Sequence, residues 1–169
     1  MQDQARLYRR LFGRFATGVA VVLAEENGEM SGLTVNSLTS ASLDPLLLLF
    51  CTRKESRSAA AILGAGRFSV NVLSARQRNI ANYFAGQREE HVNLGLQREN
   101  GFVWFAGSNA VFFCEREAVH PGGDHQIILG RVVDLRGPEG CDQMLLYHEG
   151  QYAVLNPRAQ AIPMEIELP

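Results

Sequence analysis

No stretch of this chain is apolar for long enough to span a membrane as a helix. The longest run, Leu46 to Cys51, is six residues, against about 20 for a spanning helix. The first ten residues are polar and charged without an apolar segment, so no secretory leader is expected. Cysteines are few: Cys51, Cys114 and Cys141, with no CxxC spacing. An odd, scattered set argues against a disulfide framework or a zinc knuckle and leads us to expect a reducing, cytoplasmic setting. Charge of one sign is lacking too. Lys and Arg number 16, Asp and Glu 18, for a net charge of -2. Without a basic surplus to neutralise a phosphate backbone, nucleic acid is not an expected partner.

Several chemical signatures are also missing. Neither GxGxxG nor GxxxxGK[ST] occurs, so the two standard phosphate-cradling loops are absent. No GxSxG elbow supports a serine hydrolase. His91, His120, His125 and His148 never fall at HExxH or HxxxH spacing. His120, Asp124 and His125 lie close together, but no third cluster of ligands accompanies them, and no metal is expected.

What is present is a globular composition. The chain has 169 residues, 46% hydrophobic and 20% charged, which suits one domain burying roughly 70% of its unfolded surface. Ala5, Tyr8, Leu11, Phe12 and Phe15 recur at three and four, placing one apolar face on an N-terminal helix. Gly18 to Ala24 (GVAVVLA) reads as a buried strand. Asn27-Gly28 turns the chain into a partner through Leu33-Thr34-Val35. Asp44-Pro45 opens a second strong strand, Leu46 to Thr52. Ser56 is expected to cap a short helix ended by Gly64 and Gly66. Phe68 to Leu73 alternates as a half-buried strand, and Ser74 caps a third helix with Ile80, Ala81 and Phe84 as its apolar stripe. Gln87 to Asn100 is polar and reads as loop. Strands are expected over Ala110 to Val119 and Gln126 to Leu135, with Gly130 as a bulge or close approach, then a closing hairpin around Glu149-Gly150. Six or seven strands that do not alternate with three helices predict a mainly β fold, an antiparallel barrel edged by short helices.

Three segments carry candidate chemistry. Thr34 to Ser42 packs Thr34, Asn36, Ser37, Thr39, Ser40 and Ser42 between two buried strands, enough short donors to hold an anion or heterocycle. Turn and cap chemistry alone would give the same composition. His120-Pro121-Gly122-Gly123-Asp124-His125 presents a carboxylate beside an imidazole at a strand mouth, or an ordinary surface pair on a glycine turn. Arg53-Lys54-Glu55-Ser56-Arg57 leads into a helix N-terminus, as a phosphate site would, or as a solvated basic turn would.

Taken together, these segments resemble the short-chain flavin reductase family, the reductase components of two-component flavin-dependent monooxygenases. The matching stretches are Phe15 to Val22, Gly32 to Pro45, Arg67 to Leu73, Phe84-Ala85, Gly123-Asp124-His125 with Ile127, Gly130 and Val132, and Tyr147 to Tyr152. The family often has two prolines after the aspartate of the serine loop, whereas here Leu46 follows Asp44-Pro45.

The resemblance implies an FMN-binding split β-barrel over residues 1–156, with 157–169 as an extension. It also implies a homodimer and NADH or NADPH reducing FMN or FAD for a partner monooxygenase. On that likeness Thr34, Val35, Asn36, Ser37, Ser40, Ala41 and Ser42 contact the flavin, with Cys51 on the adjoining strand. Arg53, Lys54, Ser56 and Arg57 hold its phosphate end. Asp124 and His125 serve the nicotinamide side as catalytic candidates. Arg88, Arg98 and Arg131 are the candidates for a 2′-phosphate. A non-enzymatic flavin carrier or sensor on the same scaffold is the alternative, and a haem- or metal-binding relative a more distant one.

Overall fold

The structure, a computed structural model, describes residues 2–87, 92–138, 140 and 142–155. The C-terminal extension expected over 157–169 and part of the expected turn at 137–140 lie outside those residues. The chain opens with α1 (Gln2–Phe12), β1 (Thr17–Gly18), β2 (Ala20–Glu26), β3 (Glu29–Val35), β4 (Thr39–Leu43) and β5 (Leu46–Arg53). Next come α2 (Arg57–Ala65), β6 (Arg67–Val72), a 3-10 turn (Ala75–Gln77) and α3 (Arg78–Phe84). The remainder is β7 (Leu96–Glu99), β8 (Phe102–Phe105), β9 (Ala110–Gly122), β10 (His125–Arg136), β11 (Leu146–His148) and β12 (Gln151–Ala153).

Every ladder among the described residues is antiparallel. Seven strands form the main sheet in the order β3-β2-β6-β9-β10-β5-β4. Its two edges, β3 and β4, are consecutive in the chain and joined only by residues 36–38. The sheet therefore curls until its edges meet, as a barrel does, yet no ladder joins β3 to β4. The split lies along that seam, and Ser37 sits in it: its hydroxyl accepts the Cys51 N–H at 2.9 Å, tying the connection to β5.

The apolar run of β2 shows no alternation because both of its faces are buried. Ala20, Val22 and Ala24 join Phe50, Val70 and Ile128 inside the barrel. Val19, Val21 and Leu23 face a second core with Leu73, Ile80, Val103 and Phe105. α3 seals that second core, and Gly32 lets it approach: a Cβ there would lie 2.6 Å from Leu23 and Phe84. Thr34 adds a hydrogen bond from its hydroxyl to the Ala81 carbonyl at 2.7 Å. Gly130 has the expected role. The β9–β10 register shifts beside it, and a Cβ would meet the Phe68 ring at 2.8 Å.

The described residues form twelve strands where six or seven are expected, and Ser74 leads into the 3-10 turn instead of α3, whose N-cap is Gln77. Two further expectations need correction. Residues 96–99, read as loop, form β7 and pair with β8. β6, read as half-buried, is covered on both sides, and Ser69 and Asn71 are fully buried. The polarity of those two residues serves an internal network. The Asn71 amide donates to the Val21 carbonyl at 3.1 Å and to the Ser69 hydroxyl at 2.9 Å, and its oxygen accepts the Phe105 N–H at 3.0 Å. Ser69 donates to the Val103 carbonyl at 2.6 Å. The polar face of β6 thus turns toward β8 instead of water.

Candidate functional site

A cavity of about 1010 Å3 opens at the seam, between α1, β1, the β3–β4 connection and β5. Asn36, Ser37, Thr39 and Ser40 supply one polar edge, and Leu49 and Cys51 of β5 the floor. Tyr8, Phe12 and Phe15 stand over the opposite side. Tyr8 stacks on Phe12, and Phe12 meets Phe15 edge to face, with centroids 5.7 and 6.2 Å apart, yet each is more than half exposed. The apolar face of α1 read from the sequence is therefore turned to this opening. Arg9 is the one charged residue among the described lining, and no carboxylate is present there. The Thr17 hydroxyl is buried at the cavity wall and has no hydrogen-bond partner. A buried, unpaired hydroxyl is costly, about 1–3 kcal/mol, unless something else meets it.

The donor set fits a flavin. The ring is broad, flat and mostly apolar with a polar edge, and this cavity has aromatic and aliphatic walls with hydroxyls and an amide along one side. Its size lies at the upper end of small-molecule pockets, about 300–1,000 Å3.

The expected site residues separate into groups. Asn36, Ser37, Ser40 and Cys51 line the large cavity. Thr34 and Val35 line a smaller adjoining pocket of about 420 Å3, and Asn36 borders both. Ala41 is the bulged residue where the β4–β5 register shifts between Ser40 and Ser42. Neither Ala41 nor Ser42 borders either space.

Arg53, Lys54, Ser56 and Arg57 are also outside the two linings. Arg53 shares a strand face with Cys51, about 7 Å farther along β5. Ser56 caps α2, its hydroxyl accepting the Ala59 N–H at 3.1 Å. Asp124 and His125 turn at the start of β10. His125 lies opposite Arg53 in the ladder, and the Asp124 carbonyl accepts the Lys54 N–H at 3.3 Å. The imidazole Nδ1 and the Asp124 carboxylate are 2.8 Å apart. The His125 hydrogen bond, then its charge and that of Arg53, hold the Asp124 carboxyl below the ordinary range. A lowered carboxyl stabilises the fold above its unfolded value of about 3.9, and that contribution is lost as pH falls through the folded value. The basic turn and the Asp-His pair therefore form one cluster at the far end of β5 and β10, continuous with the cavity through Cys51.

Thr17, Tyr8, Phe12, Phe15 and Tyr147 complete the site, and the sequence alone does not mark them as site residues. Thr17 stands opposite Tyr147 in the β1–β11 pair. The matching FATGV stretch is the available signal, but a two-residue strand gives no periodicity to read. Among the described residues no cluster of metal-ligating side chains occurs, and no helix is long and apolar enough to cross a membrane.

Comparison with known proteins gives one picture. The flavin reductase like domain family matches residues 12–156. The chain is 45% identical to a probable flavin reductase of Rhizobium meliloti (strain 1021) over 131 residues, which is 75% of this chain and 42% of that protein. It therefore spans less than half the length of that relative. It is 37% identical to the reductase subunit HsaB of a flavin-dependent monooxygenase from Rhodococcus jostii (strain RHA1), over 90% of this chain and 78% of that one. Among solved structures, the NADH:FAD oxidoreductase SgcE6 of Streptomyces globisporus C-1027 superposes with a TM-score of 0.83 at 32% identity, covering 94% of this chain and 96% of that one.

Proposed function

Because the chain belongs to the flavin reductase like family, as the match over residues 12–156 shows, we propose that it uses NADH or NADPH to reduce FMN or FAD for a partner monooxygenase. The observation that carries this reading is the cavity at the barrel seam, with its hydroxyl edge and the orphaned Thr17 hydroxyl. A flavin, when bound, supplies the ring that accepts the hydride of the nicotinamide coenzyme. The chain itself supplies position. Ser37 and Ser40 direct hydroxyls along the polar edge, and the Thr17 hydroxyl gains the partner it lacks. The aromatic residues of α1 exclude water from the opposite side. Arg53, Lys54 and Arg57 attract the phosphate end.

His125 is the catalytic candidate, oriented by Asp124 through their 2.8 Å contact. His125→Ala is expected to lower kcat or raise the nicotinamide KM with little loss of thermal stability. Steady-state kinetics equal to wild type would remove His125 from the reaction. The chain works in the cytoplasm as a homodimer in this reading, and the exposed Leu7, Tyr8, Leu11 and Phe12 face of α1 supports the dimer. Sedimentation at the mass of one chain would refute that assembly.

Oxidation of NADH and NADPH with added FMN, FAD and riboflavin tests the function directly. Turnover with a flavin supports it, and no oxidation with any pairing refutes it. Thiol chemistry tests the place. Burial pushes the Cys114 thiol up to about 12, while Cys51 is part-exposed on the cavity floor. In a Cys141→Ser background, iodoacetamide at mildly alkaline pH is expected to modify Cys51 and spare Cys114, and saturating FMN to slow the reaction at Cys51. Peptide mass mapping reads both outcomes, and an FMN-independent rate at Cys51 would place the flavin elsewhere.

A further inference from the structure

We propose that Arg78 recognises a phosphate of the nicotinamide coenzyme, from the smaller pocket that adjoins the flavin cavity; this rests on the flavin reductase reading above. The two spaces share Val19, Asn36, Tyr147 and Gly150 as a common wall. One flat coenzyme in the large cavity therefore leaves a second, contiguous space of about 420 Å3 for part of another.

The face of α3 that borders this space is set by the helical repeat. Ile80 and Ala81 are buried in the core. Arg78, Asn82 and Ala85, spaced by four and three, fall on the other side and line the pocket. Gln87 extends that polar edge. Across from it stand Tyr147 and Tyr152, whose rings meet edge to face with centroids 5.8 Å apart. The Arg78 guanidinium lies 5.8 Å from the Tyr152 ring. The pocket thus combines a cation, three amides and two aromatic rings, which suits a phosphate beside a planar heterocycle.

Charge points the same way. Arg78 is the one charged residue among the described lining, with no carboxylate there. The described arginines that are candidates for a 2′-phosphate are engaged elsewhere. Arg98 pairs with Glu25 at 2.8 Å and Arg131 with Glu117 at 2.8 Å. Arg88 lies outside the described residues. Among the described residues no carboxylate lies within ion-pair distance of Arg78.

The test compares wild type, Arg78→Ala and Arg78→Lys, with FMN as acceptor. Arg78→Ala is expected to raise the KM for the preferred nicotinamide coenzyme about tenfold, the loss of one charge-assisted contact. The kcat and the FMN dissociation constant stay near wild type, and Arg78→Lys recovers part of the loss. Calorimetric titration with NAD+ and NADP+ is expected to show the same weakening without turnover. A rise for both coenzymes assigns Arg78 to the pyrophosphate, and a rise for NADPH alone to the 2′-phosphate; either supports the proposal. Unchanged KM values and unchanged calorimetric affinities overturn it. So does a loss confined to FMN or FAD affinity, which would give Arg78 to the flavin. Wild-type protein that oxidises neither coenzyme fails the functional reading itself, whereas active wild type with an indifferent Arg78→Ala fails this inference alone.

Discussion

Gly18→Phe is expected to abolish flavin binding and reductase activity while leaving the protein folded. Gly18 lines the large cavity at the end of β1, paired with Leu146 of β11. Its φ lies outside the left-handed region, and a Cβ built on it meets only the Met144 methyl, at 3.9 Å. An L side chain is therefore accommodated by the backbone, and phenylalanine suits a strand. Met144 also lines the cavity, so the new ring enters the space assigned to the flavin. An aromatic ring buries about 150–250 Å2, and at about 25 cal/mol per Å2 its exclusion removes about 4–6 kcal/mol of binding. Flavin affinity should fall by more than about a hundredfold, which needs only about 2.7 kcal/mol. Circular dichroism and the melting midpoint should stay near wild type. Wild-type flavin affinity in this variant would mean that the ring binds elsewhere.

Asn71→Leu is expected to destabilise the fold severely. Leucine keeps the branched four-atom skeleton of asparagine, but it cannot hydrogen-bond and its methyls are bulkier than the amide, so overpacking adds to the lost bonds at this fully buried position. The Phe105 N–H then loses its acceptor at a residue 1% exposed, and the Val21 carbonyl and Ser69 hydroxyl lose a donor. Each buried group left unpaired costs about 1–3 kcal/mol. A total near 4 kcal/mol, at about 2–4 °C per kcal/mol for a chain of this size, lowers the melting midpoint by about 8–16 °C. Thermal unfolding followed by circular dichroism measures it. A shift below about 2 °C, less than one unpaired group should cause, would show that the β6–β8 network contributes little.

That network also marks where sequence reading stops. Phe68 to Leu73 alternates as a half-exposed strand does, and period two cannot distinguish a polar face turned to water from one turned to another strand. The covering strand belongs to the β7–β8 hairpin. Its first half, Leu96–Glu99, is polar and largely exposed, so it offers no apolar pattern to recognise. One missed hairpin accounts for both errors. The continuous apolar runs of β2 and β5, the caps at Ser56 and Gly66, and Gly130 were legible, because each is a local signal with a local cause.

The site was legible in the same uneven way. Asn36, Ser37, Ser40 and Cys51 reach the cavity because the β3–β4 connection crosses the seam. The basic turn at Arg53 to Arg57 and the Asp124-His125 pair gather at the far end of β5, a meeting of strands about 70 residues apart in the chain that only the β5–β10 ladder reveals. Thr17 and the α1 aromatics become visible as site residues only through the pairing of β1 with β11.

A crystal structure of the protein grown with FMN tests the central claim most directly. Our account predicts electron density for the isoalloxazine across the barrel seam, with polar ring atoms against Ser37 and Ser40 and a partner for the Thr17 hydroxyl. Density for the ring at another surface, with Thr17 still unpaired and the seam holding only water, would contradict it.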